Sequence, residues 1–276
     1  MKNAFQLLTV LSVFTFFASC KKHHDQPVTP PVIAYDADAQ KFFDSSAIGD
    51  TSQMSAVSDF VKQLKDSSLW AKFTAIYPMV GGSGNTSKWN LKNPVNSDAA
   101  YRLTFTGTPT FSSSGVLFPT TSDFADTHFS DSLLAYNDNS ISYFSATQNT
   151  TDGYDMGCSD NVSPYNEFAI YHSSDATNWY GYYQFGITPA STKGLFMLSA
   201  TAGDVKRFEN GIMTMSKGAS PAIGFTGLPI LIGSVSAAPT VGGRECALAT
   251  IGKGFSDAEA LTFYNIVKNF EARLRR

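Results

Sequence analysis

Charged residues, histidine and cysteine are all scarce in this sequence. Of its 276 residues, 16% are Asp, Glu, Lys or Arg, four are His and three are Cys. The net charge of −3 offers no basic surface of the kind that binds nucleic acid, so we expect no nucleic-acid partner. The sequence also lacks a Gly-x-Ser-x-Gly elbow, a His-Glu-x-x-His pair and a phosphate loop. These absences exclude the hydrolases and nucleotide-binding enzymes that carry such motifs.

The first twenty residues predict secretion and lipid attachment. The apolar run from Ala4 to Phe17 is shorter than the roughly 20 residues that span a bilayer, and it fits the core of a signal peptide. It ends in Phe17-Ala18-Ser19-Cys20, which resembles the bacterial lipobox, a signal in which the cysteine is acylated and becomes the new N-terminus. We therefore expect a lipoprotein signal peptide over 1–19 and a lipid such as palmitate on Cys20. An ordinary secretory signal is the alternative.

Residues 20–34 are polar and then rich in proline. Such a segment cannot build a hydrophobic core and is typical of an extended linker. We expect it to tether the lipid to a folded body, so that the membrane is a partner of this protein through the lipid anchor. The expected location is the cell envelope, on the outer membrane, and the sequence leaves open which face of that membrane carries the protein.

Apolar residues at helical spacing predict a helical segment over 35–78 that packs on the rest of the body. Asp36 or Asp38 is the expected cap of a first helix, and Thr51 is the expected cap of a second. The second helix has one apolar face, made of Met54, Val57, Val61 and Leu64. A third face, ended by Pro78, is made of Leu69, Trp70, Phe73 and Ile76.

From residue 79 onward the apolar period changes to two, which predicts short strands separated by turns. Asn210-Gly211 suits a type I′ turn, in which both residues need positive φ, and so predicts a hairpin over 205–213. Ser256 and Glu259 have the capping-box spacing that begins a helix. We predict a mainly β fold, with a two-sheet antiparallel jelly-roll sandwich and a C-terminal helix over 79–276 and the helical segment before it.

The order of the late elements resembles the concanavalin A-like, laminin-G-like jelly roll. The pieces that carry the resemblance are Phe208-Glu209-Asn210-Gly211, Ile230-Leu231-Ile232-Gly233, Ala247 to Gly252, and Ser256 to Glu259. Separately, Ile76-Tyr77-Pro78, Tyr101-Arg102-Leu103 and the C-terminal helix are similar to virion proteins of phages and prophages in Bacteroidetes-type bacteria. The first resemblance implies binding of a carbohydrate or a protein, and the second implies a structural or adhesive role at a surface.

Some members of the jelly-roll class hydrolyse glycosides with two carboxylates about 5 Å apart, and the laminarinase type carries them on one strand as Glu-x-Asp-x-Glu. This sequence has no such motif. Glu167 begins an expected strand and Glu245 follows two glycines, and an Asp could be the partner of either. A glycoside hydrolase, or a domain of purely architectural use, stays an alternative to the binding module that we expect.

Two further sites follow from residue type. Asp152, Asp155 and Asp160 lie with glycines in an expected loop, and flexible loops rich in oxygen suit Ca²⁺. Laminin-G-like domains often hold this ion, so the resemblance implies an optional Ca²⁺ site and no obligatory cofactor. Cys158 and Cys246 could form a disulfide in an oxidising compartment, or they could be two buried thiols.

Trp179, Tyr180, Tyr182 and Tyr183 are the candidate ligand-binding residues. Neighbouring side chains of a strand point to opposite faces, so about half of these rings lie outside the core. There they could stack on the faces of sugars, unless a helix covers them. We therefore expect a laminin-G-like module that binds a glycan or a cell-surface protein.

Overall fold

The computed structural model describes residues 34–160, 167–172, 183–184, 191–218, 225–236, 240 and 242–276. The expected signal peptide, Cys20 and nearly all of the tether lie outside these ranges. Residues 35–276 belong to one compact unit. The helices described in it are α1 (Ala37–Ser46), α2 (Thr51–Asp66), α3 (Gly84–Ser87) and α4 (Asp257–Leu274). None of these helices has the length and hydropathy that a membrane span requires.

Eight of the described strands form one antiparallel sheet, called here the inner sheet because it lies between the helices and a second sheet. These strands are β1 (Phe73–Tyr77), β3 (Thr110–Phe111), β4 (Val116–Leu117), β6 (Asp138–Ser145), β10 (Gly194–Thr201), β11 (Asp204–Glu209), β12 (Ile212–Gly218) and β14 (Cys246–Gly252). Their order is β12-β11-β10-β6-β14-β4-β3, and β1 pairs with β14 on the side of β4. Every residue of β14 is buried, because layers cover both of its faces.

Six described strands form the second, outer sheet. They are β2 (Thr104–Thr106), β5 (Phe124–Ser130), β7 (Gly153–Ser159), β8 (Glu167–His172), β9 (Tyr183–Gln184) and β13 (Pro229–Ile232). The order is β2-β5-β13-β7-β8-β9. The pairs are antiparallel except β8 with β9, which run parallel.

Two hydrophobic cores hold the three layers together. Between the sheets, Ile141 and Tyr143 of β6 share a buried cluster with Met156 and Ile170 of the outer sheet. On the other face of the inner sheet, α1, α2 and α4 bury a second cluster. The rings of Phe60 in α2 and Phe270 in α4 stack there at 4.6 Å between centroids.

The mainly β fold with two antiparallel sheets and a C-terminal helix is confirmed. Asn210 and Gly211 have φ of 51° and 76°, as the predicted turn between β11 and β12 requires. Ser256 and Glu259 form the predicted capping box at the start of α4. The chemistry of these local motifs was therefore sufficient to locate both elements.

Two local predictions in the helical segment were wrong. Residues 73–77 are a strand, β1, that pairs with β14, and helix occurs before it only as a 3₁₀ turn over Trp70–Lys72. The apolar spacing of this stretch fits one face of a helix, but its burial comes from a partner strand far along the chain. In addition, Asp50 caps α2 in place of Thr51, since its carboxylate accepts the N–H groups of Ser52 and Gln53. The cap of α1 is Asp36, one of the two predicted residues.

Candidate functional site

An open groove of about 570 Å³ lies between α3 and the β2 edge of the outer sheet. This is within the range of about 300–1,000 Å³ that is typical of small-ligand sites. We call it the Lys88–Arg102 groove. Its lining residues are Ser83, Gly84, Asn85, Lys88, Arg102, Leu103, Thr104, Phe105, Gly107, Thr108, Pro109 and Phe111.

Local hydrogen bonds fix the wall of the groove that carries Lys88. Ser83 and Thr86 form a capping box: the Ser83 hydroxyl accepts the Thr86 N–H at 3.3 Å, and the Thr86 hydroxyl accepts the Ser83 N–H at 3.2 Å. The Leu103 N–H then donates to the carbonyl of Lys88 at 2.8 Å. This bond holds the segment that carries Arg102 beside the end of α3.

Two aromatic rings form the apolar part of the groove. Phe105 and Phe111 are half-buried and meet edge to face, with 4.9 Å between centroids and 88° between planes. A Cβ atom at Gly84 would lie 3.1 Å from the tip of the Phe111 ring. The ring can therefore occupy this position because residue 84 has no side chain. The exposed parts of both rings offer apolar surface to a ligand.

A buried carboxylate holds the turn that closes the groove. Asp123 accepts the Thr108 N–H at 2.6 Å with one oxygen and the Thr120 N–H and hydroxyl at 2.8 and 2.7 Å with the other. Burial acts to raise the pKa of Asp123, but these hydrogen bonds outweigh it and hold the pKa below its ordinary value. The carboxylate therefore stays charged and keeps Thr108 in place.

A polar cluster continues from the groove along the outer sheet. Arg102 Nη2 lies 2.6 Å from Asp98 Oδ1, and His128 Nε2 lies 2.8 Å from the Thr104 hydroxyl and 3.4 Å from Asp98 Oδ1. His128 has φ of 56°, a strained value for a residue with a side chain. The Asp126 carboxylate accepts its N–H at 2.7 Å. Strained backbone of this kind is concentrated at functional sites, and here the imidazole contacts Thr104, a residue that lines the groove.

A second polar cluster is buried between the sheets and is structural in character. The Arg244 guanidinium is fully buried and donates to Asp155 Oδ1 at 2.7 Å and to the carbonyls of Asn149, Thr151 and Gly153 at 2.7–3.0 Å. His172 Nδ1 lies 2.7 Å from the other Asp155 oxygen. Burial acts to raise the pKa of Asp155, but its interactions with His172 and Arg244 outweigh it, so the pKa lies below its ordinary value.

Comparison with known proteins assigns no family. The chain matches no known family model and no curated protein. Domain 4 of AbnA, a GH43 extracellular arabinanase from Geobacillus stearothermophilus solved with arabinotriose, is 16% identical, with 70% of this chain and 98% of that domain covered and a TM-score of 0.45. The Trypanosoma rangeli sialidase solved with sialic acid is 9% identical, with 70% and 33% covered and a TM-score of 0.43. The binding domain of botulinum neurotoxin serotype D is 10% identical, with 72% and 52% covered and a TM-score of 0.41. The chain thus spans about half of the toxin domain and a third of the sialidase.

The three aspartates predicted to bind Ca²⁺ do not come together. Asp155 lies inside strand β7 and is buried against Arg244, while Asp152 precedes that strand and Asp160 follows it. Seven strand residues separate the two outer carboxylates by roughly 20 Å or more. The expected loop is a strand, and in the part of the chain described here no three His, Cys, Asp or Glu residues are grouped as a metal site.

Both body cysteines are buried free thiols, so the disulfide alternative is wrong. Cys158 lies in β7 of the outer sheet, with its sulfur 3.4 Å from an Asp131 oxygen. Cys246 begins β14 of the inner sheet, where Val116 and Ser145 are its strand partners. Each thiol is thus packed in a different sheet with its own neighbours. Burial raises the pKa of both thiols well above the ordinary value.

The predicted aromatic ligand site lies almost entirely outside the described residues. Trp179, Tyr180 and Tyr182 lie outside the described residues, and Tyr183 is described as part of β9 only. The groove residues Lys88, Arg102, Phe105 and Phe111 were not predicted as a site. The period of two from residue 79 onward predicted strands in this part of the chain, but nothing in the sequence indicated that α3 and β3 would lie beside the edge of β2.

Proposed function

We propose that this chain is a lipid-anchored protein of the cell envelope whose β-sandwich binds a glycan in the Lys88–Arg102 groove. The observation that carries the proposal is the combination of half-buried rings with hydrogen-bonding side chains in one open groove. Phe105 and Phe111 offer ring surface for the C–H faces of a sugar. Asn85, Thr104 and Thr108 line the same groove and offer partners for its hydroxyls.

Binding is favoured over glycoside hydrolysis by the positions of the acidic residues. The groove lining contains no Asp or Glu, whereas hydrolysis needs two carboxylates across the scissile bond. Glu167 and Glu245 do not supply the pair. Neither lines the groove: Glu167 is buried opposite Ser159 in the outer sheet, and Glu245 precedes β14 of the inner sheet, where its carboxylate accepts the Ser112 hydroxyl.

The proposed anchoring rests on the sequence that precedes the described body. The signal over 1–19 and Cys20 would attach the chain to the outer membrane, and the Pro-rich residues 20–34 would keep the sandwich clear of its surface. A groove that is open to solvent suits a ligand presented on another envelope component or on a neighbouring cell.

The test is a glycan array probed with the soluble unit 35–276. Phe105→Leu removes the flat ring and keeps apolar bulk, and we expect it to weaken binding by about threefold to tenfold, as the loss of one stacking contact implies. Asn85→Ala should also weaken binding, because this exposed side chain loses its amide. Phe124→Leu is the matched control, since that half-buried ring lies on β5 outside the groove. Equal binding by all variants at unchanged melting temperature would place the glycan elsewhere.

A further inference from the structure

We infer that the ligand of the Lys88–Arg102 groove is an acidic glycan, whose carboxylate or sulfate group binds between these two cations and displaces Asp98 from Arg102. This inference rests on the proposed function and specifies its substrate class. It follows from the charges of the groove, which the aromatic rings and hydroxyls do not explain.

Both charged side chains that line the groove are cationic, although the protein is acidic. The whole chain carries a net charge of −3, yet the charged residues that line the groove are Lys88 and Arg102. A pocket lined by charge of one sign raises the local concentration of ligands of the opposite sign. A neutral sugar can accept hydrogen bonds from these two side chains, but an anionic sugar gains the stronger, charge-assisted ones.

Lys88 has no counter-ion among the residues that the structure describes. Within the described part of the chain it forms no ion pair, and its ammonium lies 5.0 Å from the centroid of the Trp89 ring. A contact with an aromatic face orients the cation but leaves its hydrogen-bond donors open. The carboxylate or sulfate of a ligand in the groove could therefore accept hydrogen bonds from this ammonium.

Arg102 has a counter-ion that is easily replaced. Asp98 lies 2.6 Å from Arg102 Nη2, but its side chain is 59% exposed. Hydrogen bonding to Arg102 holds the pKa of Asp98 below its ordinary value, so the carboxylate is charged near pH 7. Ion pairs at such exposed positions contribute little to stability, and a ligand anion that is also held by Lys88 would compete with Asp98 successfully.

The two kinds of substitution should shift affinity in opposite directions. Lys88→Gln removes one charged hydrogen bond and should weaken binding of acidic glycans by about tenfold. Asp98→Asn removes the competing carboxylate and should strengthen it by about twofold to fivefold. A neutral glycan should not show this pair of opposite effects, because Asp98 does not compete with an uncharged ligand. Lys268→Gln is the matched control, since it deletes the same charge from the exposed side of α4, away from the groove.

The experiment measures binding of paired probes to the unit 35–276 by calorimetry. The probes are sialyllactose and tetramers of galacturonic and mannuronic acid, each paired with its neutral methyl ester, and a sulfated neutral tetramer tells sulfate from carboxylate. Tighter binding of an acidic probe than of its neutral partner, with the opposite effects of Lys88→Gln and Asp98→Asn, supports the inference.

Three results would overturn it. Equal affinity for acidic and neutral probes, still reduced by Phe105→Leu, would leave the proposed function standing and refute the charge selection. Equal losses in Lys88→Gln and Lys268→Gln would show a general attraction of charge outside the groove. No binding by any acidic or neutral probe, on the array or in solution, would remove the proposed function together with the inference.

Discussion

The buried pair of Arg244 and Asp155 gives the sharpest prediction for stability. Arg244→Met keeps the apolar part of the side chain but removes the guanidinium, which leaves the Asp155 carboxylate and the carbonyls of Thr151 and Gly153 without this donor in the interior. Removing one partner of a buried ion pair typically costs about 3–5 kcal/mol. Because whole domains are stable by only about 5–15 kcal/mol, the loss should be large.

Urea denaturation of the unit 35–276 measures this cost. We expect the free energy of unfolding to fall by about 3–5 kcal/mol in Arg244→Met and by about 1 kcal/mol or less in the control Arg273→Met, whose partner Asp59 is also exposed. Adding Asp155→Asn to Arg244→Met should recover part of the loss, because the uncompensated charge is then removed. A cost below about 1 kcal/mol for Arg244→Met would refute the assignment of this cluster as a structural centre.

Three further predictions concern acid, the hairpin and the anchor. The pKa of Asp123 is lower in the folded state, so its contribution to stability is complete above the unfolded pKa near 4 and is lost as the pH falls through the folded pKa. Urea titrations at a series of pH values should show this loss in the parent protein and not in Asp123→Asn. Gly211→Val should lower the melting temperature by several degrees, because φ is 76° and a Cβ atom would lie 2.7 Å from Tyr264 Cβ. The control Gly49→Ala should leave the melting temperature unchanged, because the space around Gly49 is open. Cys20→Ser should abolish palmitate labelling and release the protein from membranes; continued labelling of the variant would contradict lipidation at this residue.

Sequence reasoning succeeded where a few neighbouring residues decide the structure. Asn210-Gly211 and the Ser256–Glu259 box act within four residues, and both elements lie where these motifs predict them. The spacing of Phe73 and Ile76 was ambiguous because a distant part of the chain decides the structure there. A strand and a short helix can present the same apolar residues, and the choice is made by β14, which follows more than 160 residues later.

The candidate site was harder to predict because its residues are brought together only by the fold. Lys88 and Arg102 are brought together by the hydrogen bond from the Leu103 N–H to the Lys88 carbonyl, and Phe111 lies beside them because Gly84 has no side chain. Asp155 was assigned to a loop because its surroundings are polar and contain glycine, while its actual partner, Arg244, is 89 residues away. Short-range patterns carry no information about such pairs.

The position of β14 in the inner sheet sets an order of events for folding. This strand lies between β6 on one side and β1 and β4 on the other, so without it the described inner sheet falls into three pieces. Its partners are made much earlier than the strand itself, and contacts so distant along the chain form slowly. A chain that is still being synthesised therefore keeps an unpaired edge on each of β1, β4 and β6 until residues 246–252 arrive, and the inner sheet becomes continuous only when this strand is in place.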